Sequence, residues 1–310
     1  MCRCTEGLSR RDALKTVAAA AAALAASGFP LGFTKAADTT GGATKKVLFY
    51  TRSQGFQHDV VKRPDNNKDD VLSFAEKEFT KLAKEHNIDL VCTKDGAIFT
   101  PEKLAQFDAI AFYTTGNLEA EGGDKTPPMP KGGKEALLKY IESGKGFVGF
   151  HCASDTFHGG DNERADPYIK MIGGEFDGHN SQQKSKIRAV GGFAPLKEVK
   201  DFEMNEEWYR FKNIAPDMHV ILVQETGSMR EQVYKDRKPY PETWARMHGK
   251  GRVFYTSMGH REDVWTSDVF HQVLLGGLSW ALGHVQAEVK PNLHEACPEV
   301  EKVRPAEGNA

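Results

Sequence analysis

Residues 146–156 read Gly-Phe-Val-Gly-Phe-His-Cys-Ala-Ser-Asp-Thr, an apolar run that changes abruptly to small and polar side chains. A short run that is apolar throughout is typical of a strand buried on both faces of a parallel sheet. In open α/β sheets, ligands bind just beyond the carboxyl ends of the strands. His151 and Asp155 are therefore predicted to lie where such a sheet carries out its chemistry.

Apolar strands that alternate with helical patterns define the fold class. Strands are predicted over residues 46–51, 88–93, 107–114 and 146–150, and helices over residues 68–85 and 134–143. This alternation predicts an α/β fold, with a doubly wound, mostly parallel sheet and helices on both faces. A hairpin turn at residues 248–251 joins two later strands, and residues 176–179 are predicted as a loop.

Composition narrows the class of partner. The chain has 310 residues and a formal net charge of −2, and no block of basic residues is interleaved with aromatic ones. A nucleic-acid partner usually requires a basic footprint, so we expect none. The length suits one large α/β domain, and it leaves the oligomeric state open.

The N-terminus carries an export signature. Residues 9–15, Ser-Arg-Arg-Asp-Ala-Leu-Lys, form a twin-arginine motif, and an apolar, alanine-rich run follows over residues 17–26. We predict a signal peptide over residues 1–36, a flexible leader over residues 37–45 and a periplasmic or exported mature protein. A cytoplasmic N-terminal helix and a retained membrane anchor are the alternatives. The run is shorter than the roughly 20 residues that span a bilayer, so we expect no stable span in the mature protein.

Cysteine usage favours neither disulfides nor thiol catalysis. Removal of the signal leaves Cys92, Cys152 and Cys297, which allow one bridge at most and leave open whether Cys92 and Cys297 pair. Residues 149–153 resemble a nucleophile elbow, in which the reactive group occupies the middle of a Gly-x-Nuc-x-Gly frame. His151 takes that place, and Cys152 is one residue out of register.

Histidines and carboxylates follow several predicted strands and should meet at one edge of the sheet. Imidazole with carboxylate is a ligand set for zinc or a similar divalent metal, and it equally serves acid–base catalysis near neutral pH. A lone histidine is more often structural, so the prediction depends on several of these residues following strands that end at the same edge of the sheet. The predicted metal ligands are His58, His151, His179 and His260, and the predicted catalytic residues are His151, Asp155, Glu207 and His260.

Aromatic residues accumulate in the same segments. Flat rings beside carboxylates and amides suit sugars, whose C–H faces stack while their hydroxyls form hydrogen bonds. The predicted substrate-binding residues are Gly116, Tyr209, Trp244 and Trp265. The alternative is that these rings fill the core.

Several segments together resemble one protein family. They are residues 149–156, 172–179, 207–209, 241–244, 251–260 and 276–283. Through them the chain resembles the ThuA-like (trehalose-utilisation) family of the class I glutamine amidotransferase-like superfamily. The resemblance implies one flavodoxin-like α/β domain over residues 46–285. The residues that follow, 286–310, are rich in proline and glutamate and are predicted to form a surface tail. The resemblance also implies that the amidotransferase nucleophile is lost.

The resemblance further implies a role in disaccharide metabolism, including 3-keto sugar intermediates. We expect a carbohydrate-related enzyme, a hydrolase, lyase or isomerase acting on a disaccharide or 3-keto sugar, that is assisted by a metal such as zinc. His151 or His260 would bind the metal or move a proton, and Glu207 or Asp155 would act as base. The alternative is a non-catalytic sugar-binding protein that keeps an eroded site.

Overall fold

The computed structural model describes residues 44–64, 71–159, 165–236 and 239–300. The predicted signal peptide and residues 37–43 of the predicted leader lie outside the described residues. Within the described part of the chain, no helix is both long enough and apolar enough to cross a membrane.

Eleven strands are found in the described residues. They are β1 (Lys45–Tyr50), β2 (Ile88–Thr93), β3 (Ala109–Phe112), β4 (Gly146–Phe150), β5 (Glu175–His179), β6 (Gln183–Ala189), β7 (Phe202–Glu206), β8 (Tyr209–Lys212), β9 (His219–Glu225), β10 (Tyr240–His248) and β11 (Gly251–Thr256). Nine of them form one sheet in the order β2-β1-β3-β4-β11-β10-β9-β6-β7, and β5 pairs with β8 in a separate ribbon.

The large sheet has a parallel half and an antiparallel half. Strands β2, β1, β3, β4 and β11 pair in parallel, whereas β11 to β10 and every pair beyond it are antiparallel. The predicted α/β class is confirmed, with a parallel core inside a mixed sheet. The predicted hairpin forms as well, since His248 pairs with Gly251 across a turn in which Gly249 has a φ of +58°.

Eight α-helices flank the sheet. They are α1 (Phe74–Glu85), α2 (Pro101–Leu104), α3 (Gly133–Glu142), α4 (Pro167–Ile172), α5 (Gln232–Lys235), α6 (Glu262–Trp265), α7 (Asp268–Ala281) and α8 (Leu293–Ala296), all within the described residues. Helix α1 starts at Ser73 in a capping box with Glu76, and buries Phe79 and Leu82 on one face. Helix α7 packs closely on the sheet, because a Cβ at Gly277 would lie 2.4 Å from the Phe254 ring.

The helix predicted over residues 68–85 begins at Phe74, because the Ser73 capping box sets its start, and two further segments differ from the sequence expectation. Residues 176–179 are predicted as a loop but lie in β5, most of which is only half-buried and includes Asp177 and Gly178, so the segment carries little strand signal. The described part of the predicted tail is docked on the domain: the Asn292 side chain accepts from Val220 N and donates to Val220 O, and Leu293 and Cys297 are buried. A side chain that pairs with a strand backbone in this way gives residues 292–297 a fixed position.

Candidate functional site

The site begins at the turn that follows β4. His151 opens a 3-10 helix (His151–Asp155) with a φ of +43°, the left-handed conformation expected of a sharp elbow. Its ring is fully buried, and Nδ1 donates to the Ser257 carbonyl oxygen at 2.7 Å. Nδ1 therefore carries a proton, and Nε2 is the ring nitrogen that faces Glu207 and His260.

The turn after β11 brings a second histidine to the same place. The buried Glu206 carboxylate accepts from the backbone N–H groups of Gly259 and His260, at 3.0 and 3.1 Å. The carbonyl of Gly259 accepts from Trp265 Nε1 at 2.7 Å. These bonds fix the backbone direction at His260.

A second buried carboxylate supports the first histidine. Glu242 accepts from the hydroxyls of Thr256 and Ser257, each at 3.0 Å, and from Met258 N at 3.2 Å. It therefore fixes the segment whose Ser257 carbonyl orients His151.

Four side chains converge at this edge of the sheet. One ligand atom each from His58, His151, Glu207 and His260 lies within 4.8 Å of the others. Glu207 Oε2 is 3.1 Å from His260 Nδ1 and 3.4 Å from His151 Nε2. His260 Nδ1 and His151 Nε2 are 3.3 Å apart. These four residues, the His₃Glu group, form a compact arrangement of three imidazoles and one carboxylate.

Burial and neighbouring charges bias the protonation states in this group. Burial, together with the adjacent His151 and His260 rings, lowers the pKa of His58 well below its usual value and keeps the ring neutral. Burial opposes ionisation of Glu207, but hydrogen bonds with His151 and His260 outweigh it and hold the pKa of the carboxyl low. Burial opposes protonation of His260, but its hydrogen bond with Glu207 outweighs burial and raises the pKa of that ring. Because a metal binds neutral imidazole and ionised carboxylate, His260 must release its proton when a metal binds.

His58 reaches the group from the loop after β1. Its ring stands edge-on to those of His151, at 4.9 Å between centroids, and His260, at 5.1 Å. His58 Nδ1 is buried and has no hydrogen-bond partner among the residues that the structure describes. A buried polar atom without a partner is unfavourable. The arrangement of this histidine fits a group that binds a cation.

His179 lies beside the group rather than in it. Its Nδ1 is 3.2 Å from Glu207 Oε1, the carboxylate oxygen that faces away from His151 and His260, and 41 % of its side chain is exposed. The His₃Glu group thus contains three of the four predicted metal ligands, and Glu207 occupies the fourth place. His179 contacts that glutamate from the solvent side.

Asp155 is separate from the group. Its carboxylate hydrogen-bonds His158 Nδ1, and this bond raises the pKa of His158. The backbone carbonyl of Asp155 accepts from Gly116 N at 3.0 Å, which joins the loops after β3 and β4. Gly116 has a φ of +72°, and a Cβ there would lie 2.2 Å from Gln54 Oε1, so it is a tight crossing point of the loops.

The predicted aromatic residues divide into two kinds. The Tyr209 ring is buried, but it lies 4.1 Å from that of His151, between centroids, and so packs directly against the site. Trp244 is fully buried and packs on Phe211 and donates to Ile172 O. Trp265 is also fully buried, and its contact with the Gly259 carbonyl supports the His260 turn. In the structure neither tryptophan offers an exposed face for a ring to stack on.

Cys152 does not have the surroundings of a catalytic thiol. Cys152 is buried, and burial raises the pKa of its thiol well above the usual value, the opposite of an activated nucleophile. No disulfide joins Cys92, Cys152 or Cys297, all of which lie in the described residues.

Sequence reasoning missed Glu206 and Glu242, the two fully buried carboxylates that fix the turn after β11. Glu206 lies between polar residues and gives no signal, whereas a signal was present for Glu242, which stands between the aromatic residues Tyr240 and Trp244. A charged residue in such a position is rarely buried unless its carboxylate is hydrogen-bonded.

Comparison with known proteins now identifies the family. The sequence matches the ThuA family, described as trehalose utilisation, over residues 46–281. The chain belongs to the ThuA family. Comparison with curated proteins gives no match.

Solved ThuA-like structures share the fold. The chain is 21 % identical to a ThuA-like protein from Bacteroides uniformis, with a TM-score of 0.58, over 82 % of this chain and 95 % of that one. A ThuA-like protein from Parabacteroides merdae is 13 % identical, with a TM-score of 0.57, over 80 % of this chain and 92 % of that one. At such identities the likeness establishes the ThuA fold alone.

Proposed function

We propose that this ThuA-family chain is a metal-assisted enzyme that acts on a disaccharide or its 3-keto derivative by hydrolysis, elimination or isomerisation. The observation that carries the proposal is the His₃Glu group, whose four ligand atoms lie within 4.8 Å of one another. The description of the family as trehalose utilisation supports a sugar as substrate.

The donor set fits zinc or a similar divalent ion. Three imidazoles with one carboxylate match the nitrogen and oxygen ligands that zinc takes, and the hydrogen bond from His151 Nδ1 to a carbonyl is the usual way to orient such a ligand. When bound, a divalent metal would polarise a keto or hydroxyl oxygen of the sugar and ease proton removal from the neighbouring carbon.

The residues of the chain supply position and proton transfer. Glu206 and the Ser257 carbonyl hold His260 and His151 in place, so the group is organised before any ligand arrives. Glu207 is the acid–base candidate that the geometry favours over Asp155, because Asp155 bonds to His158 outside the group. The oxygen of Glu207 that contacts His179 faces the solvent side, from which a sugar would approach.

Substitution of Glu207 tests the proposal. Each protein is reconstituted with zinc and incubated with trehalose or 3-keto-trehalose, and products are followed by NMR. Wild-type protein should convert one of these sugars. Glu207→Gln should lower the rate at least ~100-fold, because it removes a metal ligand and also the general base, which alone contributes about 10²–10⁴. Glu203→Gln, an exposed glutamate on β7, is the matched control and should retain full activity.

Full activity of the Glu207→Gln variant would contradict the proposed role. A wild-type protein that binds trehalose but converts neither sugar would favour the alternative, a non-catalytic sugar-binding protein.

A further inference from the structure

Phe56 stands on the loop that carries His58 and is 69 % exposed. Among the residues that the structure describes, three large apolar side chains are exposed: Phe56, Met247 and Val285. Phe56 is the most exposed of the three, and it alone among them is aromatic. Met247 lies near the hairpin turn of β10, at the opposite edge of the sheet from the His₃Glu group, and Val285 follows helix α7.

The position of Phe56 is fixed although its ring is open to solvent. Its carbonyl oxygen accepts from Thr115 Oγ1 at 2.9 Å, and Gln54 N donates to the Thr115 carbonyl at 3.0 Å. The ring itself stands perpendicular to that of His58, with 4.9 Å between centroids. Hydrogen bonds thus join the loop after β1 to the loop after β3. The loop after β1 holds the exposed Phe56 ring directly against His58, a residue of the His₃Glu group.

A single exposed apolar side chain is ordinary on a protein surface and does not by itself mark a site. The neighbourhood of Phe56 is what distinguishes it, because this ring touches His58 while most of its surface remains accessible. One ring is also far smaller than the apolar area that a stable protein partner covers. An occupant of this position is therefore about the size of a small molecule.

We propose that Phe56 is a stacking platform for one pyranose ring of the substrate, so that the adjoining ring lies at the His₃Glu group. This inference rests on the proposed function, since it names how that site holds a disaccharide. The C–H face of a pyranose is apolar and flat enough to cover an aromatic ring, while its hydroxyls stay in contact with water and polar loops. The preorganised loop keeps the ordering cost of binding low.

Three variants test the platform. Binding of trehalose, maltose and sucrose to zinc-loaded protein is measured by calorimetry, and zinc content is measured on the same samples. Phe56→Ala should weaken binding of the preferred disaccharide about tenfold. Phe56→Trp should restore it to within about twofold because it keeps an aromatic face. Met247→Ala, which removes an exposed apolar side chain at the other edge, is the control and should bind as wild type.

The zinc content separates this inference from the function it rests on. If Phe56→Ala keeps the zinc content of the wild type and binds the disaccharide with unchanged affinity, the stacking role of Phe56 is wrong, and the proposed metal site is unaffected. Loss of zinc from Phe56→Ala would also overturn the stacking role, because the ring would then act by supporting His58. Absence of binding of all three sugars to a zinc-containing wild type would overturn it as well. A wild type that binds sugar but takes up no zinc would overturn the metal-assisted function instead.

Discussion

His151 combines an uncommon backbone with a fixed side chain. A φ of +43° is unfavourable for a residue that has a Cβ, and such conformations typically cost about 1–3 kcal/mol. The carbonyl oxygen of His151 accepts from the Tyr255 hydroxyl at 2.6 Å, and its ring donates to Ser257. These contacts, one on the backbone and one on the ring, hold His151 in its strained conformation and fix the direction of Nε2 toward the His₃Glu group.

At the residue scale, Glu206 provides a sharp test of how the site is built. Its carboxylate accepts three backbone N–H groups, those of Glu207, Gly259 and His260. Glu206→Ala would leave these buried donors without an acceptor. Each donor that water does not reach would then lower the stability of the fold by about 1–3 kcal/mol. We expect the free energy of unfolding, measured by urea denaturation, to fall by about 3 kcal/mol.

The matched control is Glu203→Ala, on the same strand, where the glutamate is exposed in a surface ion pair with Lys184. We expect that change to alter the free energy of unfolding by less than about 0.5 kcal/mol. Equal effects of the two substitutions would show that Glu206 does not hold the turn.

Residue patterns named the four members of the His₃Glu group as candidates, but they did not show which contacts hold these side chains in place. His58, His151, Glu207 and His260 were all candidates, because histidines after apolar strands stand out in a sequence. The sequence did not show which of these candidates lie together in the group. Whether Glu207 or His179 completes the group depends on side-chain direction at the end of β7 and in β5, which a periodicity of two or 3.6 does not specify.

At the element scale, helix α1 is tied to the sheet through one buried carboxylate. Glu76 caps its own helix through Ser73, pairs with Arg63 at 2.7 Å and accepts from the Thr51 hydroxyl at 2.6 Å. Burial would raise the pKa of Glu76, but the hydrogen bond and charge of Arg63 outweigh it and lower the pKa below its usual value.

Neutralising that carboxylate should destabilise the fold in a pH-dependent way. Glu76→Gln leaves a buried guanidinium without its charge partner, so the free energy of unfolding at pH 7 should fall by about 3–5 kcal/mol. A lowered folded-state pKa contributes stability above the unfolded pKa of 4.5 and loses it as pH falls toward the folded value. The gap between wild type and variant should therefore narrow between about pH 5 and pH 2.

Urea denaturation across that pH range checks the prediction, with the exposed Glu85→Gln as control. A gap that stays constant from pH 7 to pH 2 would mean that the ion pair is not the source of the stability.

Elements were predictable where the sequence buries them on both sides. The strands β1 to β4 read as apolar runs separated by helices, and this gave the parallel half of the sheet. Strand β6 instead alternates buried Gln183, Ser185 and Ile187 with exposed lysines, so its pattern has little apolar content. Strand β6 and the β5–β8 ribbon consequently leave only a weak trace in the sequence, whereas β9, in the same half of the sheet, is an apolar and buried run.

At the scale of the whole molecule, the site depends on both halves of the sheet. Histidines 58, 151 and 260 follow β1, β4 and β11 at the carboxyl edge of the parallel half. Glu207 comes from the end of β7, the last strand in the sheet order, and so belongs to the antiparallel half by connectivity. The three histidines were expected to meet because residues that follow parallel strands lie at one edge of a sheet. The position of Glu207 beside them could be seen only in the complete fold.

The central claim is that the His₃Glu group binds one divalent metal, and elemental analysis tests it most directly. Zinc-reconstituted wild type is compared with the His58→Ala, His151→Ala, His260→Ala triple variant, and Glu207→Gln is included in case the triple variant does not fold. His86→Ala with His284→Ala, two exposed histidines, serves as control. We expect about one zinc per chain in wild type and control, and less than about 0.1 in the two site variants. Equal zinc content in all four proteins, or none in the wild type, would contradict the account.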